Sequence, residues 1–570
     1  MLAKRTRLRV IGVETDARLV KQSRRTLKRS GLYGQVTIHH VDDLGNLPFV
    51  GHFANLVVLQ SASLDAGLFS TPKEVLRVLR PNGGVAVIGL ATRTDKPSSR
   101  DILNHWFDNL ASLKPKVIER NGYLWATITR GPLPGAGQWT HLYGRADNSA
   151  YGGEQLAGVS KSDDLEVQWV GRPGPRYQAD RNGRKPSPLA ISGRLFLQGL
   201  HRIVAVDSFN GSILWSLEIP DLERFNMPRD CGNWCADAKN IYVAIRDRCW
   251  KIDAVTGTVA NMFAAEPGER SDWKYDWGYL ASEGDKLIGT AVKQGSSWNE
   301  FWGGANAGWY DARSGAVTYK ICSDNLFGLD KKSGETRWTY SNGVIINPSV
   351  TVSNGVIYFV ESRNPKVRES NDRRVGSPEL WKDQFIVAID ANDGSLLWEK
   401  PIDTEDGIVV FYMAHAKDRL VVVSSNNKKY DVYSYSAKNG ARQWHQSFGW
   451  PGGKGDHGKA MSRPAIVGNR VYVRPQAFAL EDGKILDIKM PGGGCGTYAC
   501  TADALFFRAS TVTVWDQKKG KSTTWPRLRP DCWLSTIPAD GMLLSPEGGG
   551  GCSCGTWMET SIGFIPRAHK

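Results

Sequence analysis

The sequence predicts a two-part chain: a short α/β unit followed by an all-β propeller. Three observations predict it. One turn-and-tryptophan motif returns along most of the 570 residues, its copies are spaced like propeller blades, and residues 1–130 instead alternate strand with helix.

The motif is clearest as VAVDSFNGSILW at 204–215, VAIDANDGSLLW at 387–398 and FGLDKKSGETRW at 327–338, and looser as YSYSAKNGARQW at 433–444. Alternating apolar residues make a strand, Asp or Ser and Gly make a turn, and a second strand carries Trp four residues after the Gly. Asp207, Asp330 and Asp390 suit a carboxylate that accepts from turn amides, while Gly211, Gly334, Gly394 and Gly440 suit a backbone of positive φ. Trp215, Trp338, Trp398 and Trp444 are large and flat with one N–H to satisfy, which fits them to dock one repeat on the next. Weaker copies, KIDAVTG at 251–257, ALEDG at 479–483 and VWDQKKG at 514–520, bring the turn glycines to 211, 257, 334, 394, 440, 483 and 520. Their steps of 46, 77, 60, 46, 43 and 37 residues predict a propeller.

Ala205, Asp207, Asn210, Gly211 and Trp215 together resemble the tryptophan-docking motif of the pyrroloquinoline quinone (PQQ) repeat, found in quinoprotein alcohol dehydrogenases and in the assembly propeller BamB. The resemblance implies the fold and not the chemistry. A working dehydrogenase of that family would hold PQQ and Ca2+ in the funnel with an Asp base, and commonly a Cys-Cys disulfide against the quinone. This chain has no Cys-Cys pair and no Cys-x-x-Cys-His for a c-type haem, so neither PQQ nor haem is expected.

In the first part, strands are expected at 8–13, 36–40, 54–59 and 84–90, and helices at 17–30, 72–79 and around Trp106. A paired segment at 116–119 and 123–128 would end a parallel sheet with crossovers. VIGVETD at 10–16, DLGNLP at 43–48 and LRPNGG at 79–84 resemble segments of the class I S-adenosylmethionine (SAM) methyltransferases, a Rossmann-like family. That resemblance implies Glu14 at the cofactor ribose and Asp43 at the adenine, each a carboxylate at a strand's carboxyl end. Two departures weaken it: Asn55 stands where the family commonly has an acid, and the family's first strand and glycine-rich loop would lie before Val10, where nine residues stand. The domain is therefore expected to be a methyltransferase fragment, its glycine loop lying upstream of Met1 or lost.

GPLPGAG at 131–137 reads as a linker, WTHLYGRADN at 139–148 opens the propeller, and LEVQWV at 165–170 is its first clear strand. A ring must close, so strands at 533–537, 541–545 and 560–565 are expected to be completed by 165–170. Seven turn motifs plus this composite give eight blades. Seven is the alternative, because the 77-residue step also holds a hairpin-like YDARSG at 310–315.

The net charge of +14 points toward anionic partners, but the basic residues are dispersed among acidic ones, so a solvated surface is expected rather than nucleic-acid binding. No apolar run is long enough for a membrane span. Compartment is ambiguous. Nine cysteines suggest an oxidising, periplasmic or extracytoplasmic setting, whereas the first residues lack the apolar stretch of a signal peptide and so suggest the cytoplasm. Cys495, Cys500, Cys532, Cys552 and Cys554 lie among glycines, as tight disulfide loops and metal knuckles require, and Cys231, Cys235 and Cys249 pose the same choice. Disulfides, a thiolate metal site and buried free thiols all stay open. His457, in a glycine-rich loop, is expected at the surface.

The expectation is thus multidomain: a partial methyltransferase-like domain at 1–130, a linker at 131–138 and a PQQ-like propeller at 139–570. Its expected function is a propeller that binds or scaffolds a protein or small-molecule ligand at one face. SAM-dependent methyl transfer is the alternative and quinoprotein oxidation the second.

Overall fold

The structure, a computed structural model, describes residues 2–567 except 7, 62–69, 93–96, 109–112, 114, 172–185, 200, 223–231, 298–319, 405–406, 408–409, 427–428, 450–462, 492–496, 510, 529, 531–533 and 547–559. The chain divides into two compact units, Met1–Leu133 and Pro134–Lys570. Residues 135–138 are not a free tether, although their composition suggests one. The Gly135 and Gly137 carbonyls accept from Gln155 and Asp540, and Gln138 N–H donates to Gly152, so these residues belong to the second unit.

In the first unit, Val10–Glu14 pairs in parallel with Val36–His40 across the helix Ala17–Arg29, which Asp16 caps by accepting from Arg18 N–H at 2.7 Å. A separate four-stranded sheet runs Leu56–Ser61, Val85–Ala91, Tyr123–Thr129, Lys116–Arg120. Its first pair is parallel, with the helix Pro72–Val78 in the crossover, and the other pairs are antiparallel. The reason is local: Asn121 and Gly122, both at positive φ, turn Lys116–Arg120 straight back into Tyr123–Thr129. Val75, Leu79, Ile88, Leu103 and Ile128 form the core. Among the described residues the strands thus form two sheets rather than one. Ile11, Leu56 and Val58, which a continuous parallel sheet would cover, are 44%, 40% and 49% exposed.

The second unit is a β-propeller of small antiparallel sheets. Eight sheets occur among the described residues, beginning in chain order at Leu189–Ile191, Trp234–Ala236, Tyr275–Glu283, Lys320–Ser323, Val410–Ala416, Ala465–Val467, Ala499–Cys500 and Ile537–Ala539. The last is completed by the early strand Leu165–Val170, which pairs antiparallel with Ile562–Pro566. Inner strands such as Trp234–Ala236 are buried throughout, and outer ones such as Ile213–Glu218 alternate toward solvent.

Successive sheets are fastened by one contact repeated around the unit. Trp215 lies over Gly257 and donates its indole N–H to the Ala254 carbonyl at 3.1 Å. Trp338 does the same on Gly394 and Ala391, Trp398 on Gly440 and Ala437, and Trp444 on Gly483 and Leu480. Trp169 of the closing strand reaches Gly211 and Ser208, and Trp525 reaches the Ser162 carbonyl just before that strand. Two links differ. Phe263 covers Gly334 in place of a tryptophan, and among the described residues Gly520 has nothing against it, the preceding sheet, 465–479, showing three strands and no tryptophan-bearing fourth. The turns are held as their residues dictate: Asp207, Asp330 and Asp390 each accept from an amide two residues on, at 2.9, 2.7 and 2.6 Å.

Candidate functional site

The axis of the propeller is occupied by the chain's own segment 137–150. Its hydrogen bonds visit every described sheet of the second unit in turn, beginning at the last one and then following chain order. Gly137 O accepts from Asp540, Trp139 exchanges two bonds with Ala190, and Thr140 O accepts from Ala236. His141 Nε2 accepts from Ser282 N–H at 3.0 Å. The carbonyls of Ala146, Asp147, Ser149 and Ala150 then accept from Val352, His415, Ile466 and Cys500. A short segment can touch all eight sheets in succession only from the centre.

These partners lie at the ends of the inner strands that lead into the tight turns, so the segment closes the channel at the turn end. Each motif turn sits beside that end, as when Ser208 N–H donates to Gly193 O and Ala254 N–H to Lys239 O. The longer connections leave from the opposite end, as alternation along antiparallel strands requires.

The closing segment is tightly specified. Asn148, at φ 58°, donates from Nδ2 to Val350 O at 2.9 Å and Thr351 Oγ1 at 3.1 Å. Glu154, fully buried, accepts from Gly137, Gly541 and Leu156 N–H, each at 2.8 Å, and so ties the segment to the last sheet. Burial pushes its carboxyl above the usual range, partly offset by those amides. Burial, with the positive Lys331 nearby, holds the His141 imidazole down at about 3, which keeps Nε2 an acceptor.

Beside this segment, toward the longer connections, lies a cavity of about 10 Å³, room for one water-sized group. Its wall includes Tyr143, Trp234, Tyr279, Asn347 and Arg463. The Arg463 guanidinium lies between the Tyr143 and Tyr412 rings, 3.6 and 4.2 Å from their centroids.

In the first unit, Glu14 ends one strand of the parallel pair, opposite His40 in register, and Asp43 lies three residues beyond His40. Glu14 Oε1 accepts from Thr15 and Asp16 N–H at 2.8 and 2.9 Å, and Asp43 Oδ1 from Gly45 N–H at 2.7 Å. Both carboxylates thus cap their own turns.

Cys500 is a buried free thiol whose Sγ donates to Ala150 O at 3.0 Å. Cys235 and Cys249 are likewise free and buried, Cys322 is buried, and burial pushes Cys235 and Cys500 up, away from the thiolate. Cys231, Cys495, Cys532, Cys552, Cys554, His457 and the 310–315 hairpin lie outside the described residues. Among the described residues no cluster of three or more His, Cys, Asp or Glu side chains could hold a metal, and no helix is long and apolar enough to cross a membrane. Sequence reasoning singled out neither the closing role of residues 137–150 nor Arg463. The only signal for the former was a Trp-Gly-Asp-Asn pattern at the propeller's start.

Residues 298–523 match the family model described as outer membrane protein assembly factor BamB, so BamB-type propeller repeats are present in the chain. No curated protein matches significantly. Among solved structures, the quinohemoprotein alcohol dehydrogenase of Comamonas testosteroni is similar over 76% of this chain and 82% of its own, at 14% identity and TM-score 0.47. BamB from Moraxella catarrhalis is similar over 71% and 84%, at 10% identity and TM-score 0.31. A protein assigned to the SAM-dependent methyltransferases, from Methanococcus maripaludis, is similar over 23% and 71%, at 14% identity and TM-score 0.20. At these scores the fold rests on strand pairing and the repeat contacts.

Proposed function

We propose that the protein is an eight-bladed binding propeller of the PQQ and BamB type that engages a partner protein at the end carrying its longer connections, with a methyltransferase-like α/β unit attached. The observation that carries this reading is the closed axis. The turn end is sealed by residues 137–150, so a partner or ligand approaches from the opposite end. The closed axis, with a small cavity beside it, speaks against an enclosed quinone. An extracytoplasmic setting accords with the cysteine content and the BamB family match.

The test is affinity capture from native extract with the full chain and with two variants. One replaces connection 450–462 with a Gly-Ser linker, and the other alters the turn at Asp482. A specific partner lost in the first and kept in the second supports the reading. Equal capture by both, or no specific partner, refutes it. The second reading, methyl transfer, is favoured by Glu14 ending one strand of the parallel pair and Asp43 lying three residues beyond the other. Calorimetry with SAM decides it: no heat of binding removes it for this chain. An absorbance spectrum unchanged on adding PQQ and Ca2+ likewise removes the oxidoreductase reading.

A further inference from the structure

Arg463 is 3% exposed, yet its Nε is buried with no hydrogen-bond partner, and the side chain makes no ion pair among the described residues. Its neighbours in the cavity wall are satisfied. Asn148 donates to Val350 O and Thr351 Oγ1, Asn347 donates to Gly278 O and accepts from Ser323, His141 accepts from Ser282, and Trp234 donates to Ser187 O. The contrast with Arg373 is informative. That side chain is equally buried, but Asp324 lies 2.7 Å from it and the carbonyls of Arg368 and Ser370 accept from it.

A buried guanidinium N–H without an acceptor is costly, because the donor leaves water and recovers nothing. The faces of Tyr143 and Tyr412 fix its plane and attract its charge, but a π face replaces no hydrogen bond. What remains open is the guanidinium edge. It borders a cavity of about 10 Å³ whose wall includes His141, Tyr143 and Asn148 of the closing segment.

We propose that Arg463 is the recognition residue of an axial site for one compact anion, a halide or a carboxylate. The carboxylate is either a free ion or the tip of a ligand entering from the open end. Arginine suits the role, since its planar fork meets a carboxylate edge-on, and two tyrosines hold that fork still before the anion arrives. The site does not depend on the partner surface proposed above, because Arg463 is buried at the axis.

The test uses the full chain in chloride-free buffer, with ionic strength held constant by a bulky sulfonate. Thermal unfolding is followed against sodium bromide and, separately, sodium formate. A saturable rise of several degrees in the propeller's midpoint is expected, and its loss in Arg463→Met. Because that variant could fold poorly, bromide-soaked crystals of the unaltered protein give an independent readout: an anomalous peak within about 4 Å of the guanidinium, the reach of a charge-assisted contact. A response to bromide alone identifies a halide site, and a response to formate alone a carboxylate site. Midpoints flat in both salts, or the same rise in Arg463→Met, or bromide peaks only elsewhere, overturn the proposal.

Discussion

Gly257 and Gly520 occupy the same place in the repeat, at φ 73° and 63°, but differ in what a side chain would meet. A methyl at Gly257 would lie 2.6 Å from the Trp215 ring, whereas at Gly520 nothing lies within 4 Å. Gly257→Ala is expected to cost about 3 kcal/mol, from left-handed backbone strain plus overpacking. Gly520→Ala should cost about 1 kcal/mol, from backbone strain alone. Urea midpoints of the two variants check this. At Asn148, Asn148→Ala loses two buried hydrogen bonds and the tolerance for positive φ, about 2–3 kcal/mol, whereas Asn148→Gly keeps the backbone and should cost less.

His141 gives the residue-scale pH dependence. Its folded value, about 3, lies below the ordinary 6.5, so the unfolded chain binds the proton first. Its contribution is fully present above pH 6.5 and is lost progressively as pH falls toward 3, on the order of 4 kcal/mol in all. His141→Gln keeps an acceptor for Ser282 N–H but has no proton to bind, so the stability of the wild type relative to the variant should fall steadily on acidification through that window. A gap that stays constant with pH would contradict the assignment.

At the scale of elements, the composite sheet is where the ring closes. Leu165–Val170 is covalently distant from Ile562–Pro566 yet pairs with it, and Trp169 and Trp525 dock on either side of that seam. Trp169→Ala removes the indole that covers Gly211 and bonds Ser208 O, a loss of about 3–5 kcal/mol. The expected signature is local: limited proteolysis should first cut near 165–170 in the variant and not in the wild type. The propeller itself was legible because its turn and strand residues carry local reasons that recur. Phe263 hid its role, since a phenylalanine in a strand signals only apolar surface until the glycine beneath it is seen. In the first unit, strand and helix types followed from periodicity, but the split into two sheets depends on which edges meet, and no single-segment pattern encodes that.

For the whole molecule, the part least legible in sequence is the part that shapes the site. Residues 137–150 contact strands up to the far end of the chain, mostly through backbone N–H and C=O groups, with the His141 and Asn148 side chains adding to them. Main-chain bonds leave no side-chain signature, so the segment reads only as a polar, glycine-bearing opening. Arg463 was hidden for the opposite reason: its meaning lies in acceptors it lacks, and no sequence shows those. The strand-end acids Glu14 and Asp43, by contrast, were visible through resemblance, and their use by SAM awaits the calorimetry above.

The central claim is that the propeller is built around its own axial segment. Hydrogen–deuterium exchange of the intact protein, resolved to peptides spanning 137–154, tests it most directly. The account predicts protection equal to that of the buried inner strands such as Val410–Ala416, with exchange only through global opening of the propeller. Exchange of 137–154 within seconds, while those inner strands stay protected, would show that the segment does not seal the axis and would contradict the account.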